Sequence, residues 1–112
     1  MTLFHGAHSA SAHAAHEGMC LTRELAVAEA YAGGKGFLYT AVLPAGLVVA
    51  SCEGYDHDED EAPADQLSFR AARAAEGIDL VVYDDEDVRG NLSACYRLVS
   101  ARAVAACVLV RS

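Results

Sequence analysis

The chain has 112 residues, of which 54% are apolar, and sixteen acidic residues against eight lysines and arginines give a net charge of −8. This length predicts one domain, residues 1–112, with a single hydrophobic core. The charge argues against a general binder of the nucleic-acid backbone, because such affinity comes mainly from clustered lysine and arginine, but it leaves a protein target open.

The first thirty-odd residues predict short strands and short helices in turn. The apolar "TLF" predicts a strand, and the alanine-rich "SASAHAAHEG" predicts a helix that stops at Gly18. "MCL" predicts a second strand, and Thr22 follows it with the chemistry of a helix N-cap. "RELAVAEAYA" then predicts a helix with Leu25, Ala28 and Tyr31 on one face, ended by "GGKG".

The rest of the chain is richer in predicted strands. "FLYTAVL" and "LVVASC" predict a hairpin that turns at residues 44–46. An acidic loop, "EGYDHDEDEAPAD", then leads to a helix in "QLSFRAARAAEG" and a strand in "IDLVVY". "DDEDVRGN" predicts a second acidic loop, and "ACYRLV" and "AVAACVLV" predict two final strands. Because helices do not alternate strictly with strands, the pattern favours an α+β domain with a largely antiparallel sheet.

Four cysteines, Cys20, Cys52, Cys95 and Cys107, each lie within or beside an apolar run and form no C-x-x-C pair. This usage predicts reduced, mostly buried thiols in a cytoplasmic protein. No apolar run reaches the length of a membrane span.

Two histidine pairs and one acidic run have spacings that metal ligands can use. They are His5 with His8, His13 with His16, and the alternating Asp56, Asp58 and Asp60. The acidic run lacks the glycine and the distal glutamate of a calcium loop, and neither histidine pair has a cysteine or an acid at matching spacing. Solvated side chains explain these patterns better than ligands do, so no metal is expected.

Five segments resemble the ADP-ribosyltransferase superfamily of the His–Tyr–Glu type. "LFHGA" resembles the first strand of that family, and "GMCLTRELAVAEAYA" resembles its second block, which ends in a helix with a late tyrosine. "GFLYTAVLP", "RAARAAEGIDLVVYDDED" and "CYRLVSARAV" are similar to later blocks in the same order. The resemblance implies two small, mostly antiparallel sheets that form a cleft, flanked by two or three helices.

The resemblance also implies that NAD is the substrate. His5 would hydrogen-bond the NAD ribose, Gly6 would offer its backbone to the nicotinamide amide, and Tyr31 would pack against the nicotinamide ring. Thr22, in the same block as Tyr31, completes the set of implied NAD-binding residues.

Two cysteines stand where the family pattern has other residues. Cys95 occupies the position at which the family often carries its catalytic glutamate, and Cys20 occupies a position that is aromatic in many relatives. The glutamate matters because a carboxylate can stabilise the positive charge that develops on the ribose as its bond to nicotinamide breaks.

Resemblance to smaller members suggests which acid replaces the glutamate. The phage anti-CRISPR ADP-ribosyltransferases also begin with an LFHG-type segment, lack this glutamate and carry acids after the penultimate strand. By that comparison Asp85 is the catalytic acid and Asp84 the next candidate. Rifamycin-modifying members use an aspartate after the central hairpin, where Glu53 and Asp56 are the nearest acids in this chain.

The resemblance thus implies a mono-ADP-ribosyltransferase that modifies a protein. The acidic composition suits a basic target, such as a nucleic-acid-binding complex of the CRISPR effector type, without direct contact to nucleic acid. Two other expectations remain open: a binding protein of the same fold that inhibits a partner by occupancy alone, and a toxin that hydrolyses NAD.

Overall fold

The computed structural model describes residues 1–7, 14–33, 36–51, 70–86 and 90–111, without the side chains of residues 85 and 86. The strands are β1 (Thr2–Ala7), β2 (Cys20–Leu21), β3 (Phe37–Val42), β4 (Val49–Ser51), β5 (Leu80–Glu86), β6 (Leu92–Leu98) and β7 (Val108–Arg111). The helices are α1 (Leu25–Ala32), α2, described over residues 70–75, and α3 (Ala101–Ala106). No helix in these ranges is long and apolar enough to cross a membrane. The predicted α+β class is confirmed.

The strands form two small sheets. One has the order β1-β3-β7 and is antiparallel, and the other has the order β2-β6-β5-β4 and is antiparallel except for the parallel pair β4–β5. An isolated antiparallel bridge between Phe4 and Thr22 connects the sheets. In this bridge the Phe4 N–H donates to the Thr22 carbonyl at 2.7 Å and the Thr22 N–H donates to the Phe4 carbonyl at 2.9 Å.

The main core lies between the two sheets. Its fully buried members are Leu3, Met19, Leu21, Ala41, Leu43, Leu80, Leu98 and Ala103. A second cluster, with Val81, Tyr83, Cys95 and Val99, covers the opposite face of the four-stranded sheet. Because β5 contributes to both clusters, its sequence begins as the unbroken apolar run "LVVY" and does not alternate.

The predicted hairpin between residues 37 and 52 is wrong. β3 lies between β1 and β7, whereas β4 belongs to the other sheet and runs parallel to β5. The register of β4 is set by the carbonyl of Val48, which accepts hydrogen bonds from the N–H groups of Asp79 and Leu80. The turn at residues 44–46 therefore carries the chain from one sheet to the other.

The prediction of a strand over residues 103–110 is wrong in its first half, which belongs to α3. The Ser100 hydroxyl accepts a hydrogen bond from the Ala103 N–H at 3.0 Å and so caps the helix. Alanine has the highest helix propensity, which favours a helical turn in this segment before β7 begins.

Two other boundaries differ from those predicted. Residues 14–16 are not helical and residues 17–18 form a turn, so the predicted first helix does not reach Gly18. Residues 9–13 of this predicted helix lie outside the described ranges, and so does the predicted loop at residues 53–65. The second predicted acidic loop is strand at its start, because Asp84, Asp85 and Glu86 continue the pairing of β5 with β6.

Asp79 is a buried acid that joins three segments. Its Oδ2 accepts from the Val48 N–H at 2.8 Å, and its Oδ1 accepts from the Ser100 hydroxyl at 2.6 Å. The Arg102 guanidinium donates to both carboxylate oxygens. The hydrogen bond from Arg102, with those from Ser100 and Val48, holds the pKa of Asp79 far below its ordinary value in spite of burial.

Candidate functional site

A pocket of about 240 Å³ lies where β1 and α1 meet β2 and β6. Its walls are residues 4–6, residues 20–22, three residues of α1, residues 93–95 and Arg97. All four residues that the sequence resemblance assigns to NAD binding, His5, Gly6, Thr22 and Tyr31, line it. The volume is below the range of about 300–1,000 Å³ that is usual for whole organic ligands, so the pocket has room for part of a dinucleotide.

His5 is oriented by the backbone of β2. Its Nδ1 lies 3.0 Å from the carbonyl oxygen of Cys20. Because a carbonyl can only accept, Nδ1 carries the hydrogen in this contact. The imidazole also lies beside the Tyr39 ring, with 6.4 Å between ring centroids. These contacts fix the plane of the His5 ring at the pocket wall.

Gly6 allows β1 to pack closely against α1. A Cβ atom at this position would lie 1.9 Å from the Ala28 carbonyl oxygen and 2.9 Å from the Ala32 nitrogen. Only glycine fits at such a distance from another backbone. The His5-Gly6 pair therefore has a packing function in addition to any contact with a ligand.

We expect Gly6→Ala to lower the free energy of unfolding by about 2 kcal/mol, since the added methyl group would push α1 away from β1. Urea denaturation of the variant measures this loss. Thr2→Ala, an exposed position on the same strand, is the matched control and should change stability by less than about 0.5 kcal/mol. A Gly6→Ala variant as stable as its control would contradict the close packing of β1 on α1.

Thr22 connects β2 to α1. Its Oγ1 accepts a hydrogen bond from the Glu24 N–H at 3.1 Å, and the N-cap residue of α1 is Glu24, whose side chain makes no capping bond. The prediction of Thr22 as N-cap is therefore wrong by two residues. Thr22 is nonetheless buried at the pocket wall, where it fixes the turn that presents α1 to the pocket.

Cys20 and Cys95 form a disulfide bond across β2 and β6, with their Cα atoms 5.9 Å apart. The prediction that these two cysteines are reduced is wrong, and the argument for a cytoplasmic protein from reduced thiols no longer holds. Cys107 is a free, buried thiol, as predicted, and burial raises its pKa; Cys52 lies outside the described residues.

The disulfide joins the two positions at which the chain departs from the pattern of the family that its sequence resembles. Cys20 pairs with Arg97 in the register of β2 with β6, which places it diagonally across from Cys95. Both cysteines line the pocket. Cys95, at the position where the resemblance would place a glutamate, is thus a neutral and covalently bonded side chain.

The candidate acids lie on β5, beside the strand that carries Cys95. Asp84 is exposed and pairs with Ala94, and it is not among the residues that line the pocket. Asp85 pairs with Ser93, a pocket residue, but the Asp85 side chain lies outside the described part of the structure. The alternative acids, Glu53 and Asp56, also lie outside it. Within the described ranges, no carboxylate lines the pocket.

Arg97 is a pocket residue that the sequence reasoning missed. Its Nε and Nη2 donate to the Tyr83 hydroxyl at 2.9 and 2.6 Å, and its Nη1 donates to the Gly18 carbonyl at 2.8 Å. The sequence feature that could have indicated Arg97 is its charge, since it is the one charged residue in the otherwise apolar strand "ACYRLV". A charge that is half-buried in a strand often marks a specific hydrogen-bonding role.

The histidine pairs do not form a described metal site. His16 is exposed, with its Nδ1 3.1 Å from the Glu17 carbonyl oxygen. His8, His13 and His57 lie outside the described residues. In the ranges that the structure covers, no three histidine, cysteine or acidic side chains are grouped so that they could hold a metal ion.

Comparison of the chain with protein-family models, with curated proteins and with solved structures gives no match in any of the three. A functional conclusion therefore depends on the residues of the pocket.

Proposed function

We propose that the chain is a mono-ADP-ribosyltransferase with an ADP-ribosyltransferase-like fold, which binds NAD in the pocket and transfers ADP-ribose to a protein. One observation carries the proposal. His5, Gly6 and Tyr31, assigned to NAD by the resemblance of two separate sequence segments, lie on the walls of the same pocket. Because β1 and α1 could have packed in many other ways, this convergence supports a shared ligand.

The pocket suits the nicotinamide half of NAD. Its lining includes the aromatic residue Tyr31 and the apolar residues Val27 and Ala28, a composition that favours a flat aromatic ligand. His5 would hydrogen-bond a ribose hydroxyl. The small volume limits the pocket to this half, so the adenosine would lie outside it.

The transfer needs an acid, and Asp85 is the proposed one, with Asp84 as the second candidate. The bond between the ribose C1′ and the nicotinamide nitrogen breaks, and its electron pair leaves with nicotinamide. The carboxylate would stabilise the resulting cation, a nucleophilic side chain of the target would attack C1′, and its proton would pass to solvent. Asp85 is supported by its place on β5 opposite the pocket residue Ser93.

The proposed target is a basic protein, such as a subunit of a nucleic-acid-binding CRISPR effector. The net charge of −8 supports this choice, because opposite charge accelerates the encounter of two proteins. Such a target would place the chain in the cytoplasm, where the Cys20–Cys95 bond would be exposed to cellular reductants.

A Tyr31→Ala variant tests the proposal. With NAD and a cell lysate, the wild-type chain should add one ADP-ribose to an acceptor protein, detected by mass spectrometry. The variant should label about five- to tenfold less, because it loses a ring contact of about 1–1.5 kcal/mol. Leu25→Ala, an exposed change on the same helix, should label as the wild type does. Equal labelling by both variants would reject the assigned role of Tyr31.

The second candidate is a binding protein of this fold that inhibits its partner by occupancy. The observation in its favour is that Cys95 is bonded to Cys20 and that no described carboxylate lines the pocket. Release of nicotinamide separates the functions. A transferase releases nicotinamide and labels protein, an NAD-hydrolysing toxin releases it without labelling, and an occupancy inhibitor releases none. In a transferase or a toxin, Asp85→Asn should reduce the release, and Asp84→Asn should reduce it less.

A further inference from the structure

Arg97 is the one residue with a permanent positive charge among those that line the pocket in the described part of the chain. It is half-buried and is held from two sides, by the Tyr83 hydroxyl and by the Gly18 carbonyl. Its guanidinium carbon also lies 5.7 Å from the centre of the Tyr83 ring. A guanidinium fixed in this way is already ordered before a ligand arrives, which reduces the entropy lost on binding.

The partners that hold Arg97 are both neutral. A hydroxyl and a carbonyl satisfy its hydrogen bonds without cancelling its charge, and no described acid lines the pocket. Three of its five N–H groups serve these partners, so each Nη retains one further N–H. In a half-buried site the charge is screened less than on an open surface. The part of the pocket beside Arg97 therefore favours an anionic group.

We infer that Arg97 is the residue that selects a phosphorylated ligand for this pocket, by contact with a phosphate group. Arginine binds phosphate through a planar fork of N–H groups, which is stronger and more directional than the point charge of lysine. The inference rests on the proposed function: in NAD the phosphates follow directly on the nicotinamide riboside half that the pocket has room for.

The test compares ligands with and without phosphate by isothermal titration calorimetry. The probes are NAD, nicotinamide riboside, which has the same nicotinamide and ribose but no phosphate, and inorganic pyrophosphate, which has phosphate alone. The wild-type chain should bind NAD at least about tenfold more tightly than nicotinamide riboside. Arg97→Gln should remove this difference and abolish binding of pyrophosphate, while the affinity for nicotinamide riboside, which is a cation, does not fall. Arg97→Lys should restore only part of the preference.

A structural role of Arg97 would give a different result. Loss of the contacts with Tyr83 and Gly18 would lower the affinity for all ligands together, so an equal loss for NAD and nicotinamide riboside would overturn the inference. Tyr83→Phe removes the main anchor but keeps the charge, and this variant should still prefer NAD. If Arg97→Gln does not fold, the salt dependence of binding to the wild-type chain provides the test. Added salt should lower the affinity for NAD but not the affinity for nicotinamide riboside. An equal decrease for both ligands would overturn the inference.

The same titrations separate this inference from the proposed function. Binding of pyrophosphate but not of NAD would reject the NAD proposal while supporting Arg97 as a phosphate ligand. Binding of NAD without any preference over nicotinamide riboside would support the proposed function and reject the role of Arg97. Binding of none of the three probes would reject both.

Discussion

Loss of the Cys20–Cys95 disulfide is expected to lower the free energy of unfolding by about 4 kcal/mol. The bond joins residues 75 positions apart, and a cross-link over so long a loop removes a large part of the entropy of the unfolded chain. It also attaches β2, which has only two residues, to β6. Urea denaturation of the oxidised chain and of a Cys20→Ser/Cys95→Ser double variant measures the difference.

Reduction supplies the matched control for this experiment. A phosphine reductant should lower the urea midpoint of the wild-type chain and leave that of the double variant unchanged. Peptide mapping of the oxidised chain should find a cross-linked pair of peptides that contain Cys20 and Cys95. Failure of the reductant to shift the wild-type midpoint, or absence of the cross-linked peptides, would show that the bond does not form in solution.

Replacement of Asp79 by alanine is expected to cost about 3 kcal/mol of stability. The change leaves the Val48 N–H and the Ser100 hydroxyl without their acceptor and removes the partner of Arg102. The cost comes mainly from the Val48 N–H and the Ser100 hydroxyl, because buried donors that lose their acceptor stay desolvated. Arg102 adds little to it, since its side chain is 63% exposed. Asp79→Asn keeps one acceptor oxygen and should lose less, and Asp84→Ala, an exposed change on β5, should lose less than about 0.5 kcal/mol.

The same carboxylate predicts how stability depends on pH. The pKa of Asp79 is depressed in the folded chain, whereas an unfolded aspartate has a pKa near about 3.9. Below that value the unfolded chain binds more protons, so the contribution of Asp79 is fully present above about pH 4 and declines as the pH falls further. The difference in urea midpoint between the wild type and Asp79→Asn should be constant from pH 7 to about pH 5 and shrink towards pH 2. A difference that stays constant down to pH 2 would mean that Asp79 is not held as a carboxylate by its partners.

Local patterns in the sequence predicted the elements that depend on neighbouring residues. Short apolar runs indicated β1, β2 and β3, and the spacing of Ala28 and Tyr31 indicated α1. Glycines marked the turns: Gly18, Gly77 and Gly90 all have positive φ, a conformation that glycine adopts without strain. These features need no knowledge of the rest of the fold.

The errors concern partners that lie far away along the chain. A strand pattern does not state which strand it pairs with, so β4 was predicted beside β3 although its hydrogen bonds go to β5. The acids of residues 84–86 have low strand propensity, but pairing with the whole of β6 outweighs it. The disulfide was missed for the same reason, since cysteines in apolar runs give no sign of the strand register that brings them together.

The residues of the candidate site also divide into those that local sequence patterns indicate and those that depend on distant contacts. His5, Gly6 and Tyr31 were accessible from sequence because each lies in a short segment with a recognisable pattern. Arg97 was not, because its importance comes from Gly18 and Tyr83, which hold it at the pocket. Residues with a role that depends on distant contacts can be found only once the strands have been placed.

The bridge between Phe4 and Thr22 lies at a pocket whose two walls come from distant parts of the chain, so the walls are synthesised at different times. Through this bridge the strands are connected in the order β7-β3-β1-β2-β6-β5-β4, and both bridge residues line the pocket. One wall comes from residues 4–31 and the opposite wall from residues 93–97. A chain still growing on the ribosome holds the first wall long before the second is synthesised, and contacts between such distant segments form late in folding. A ligand that contacts both walls can therefore bind only after residues 93–97 have been synthesised.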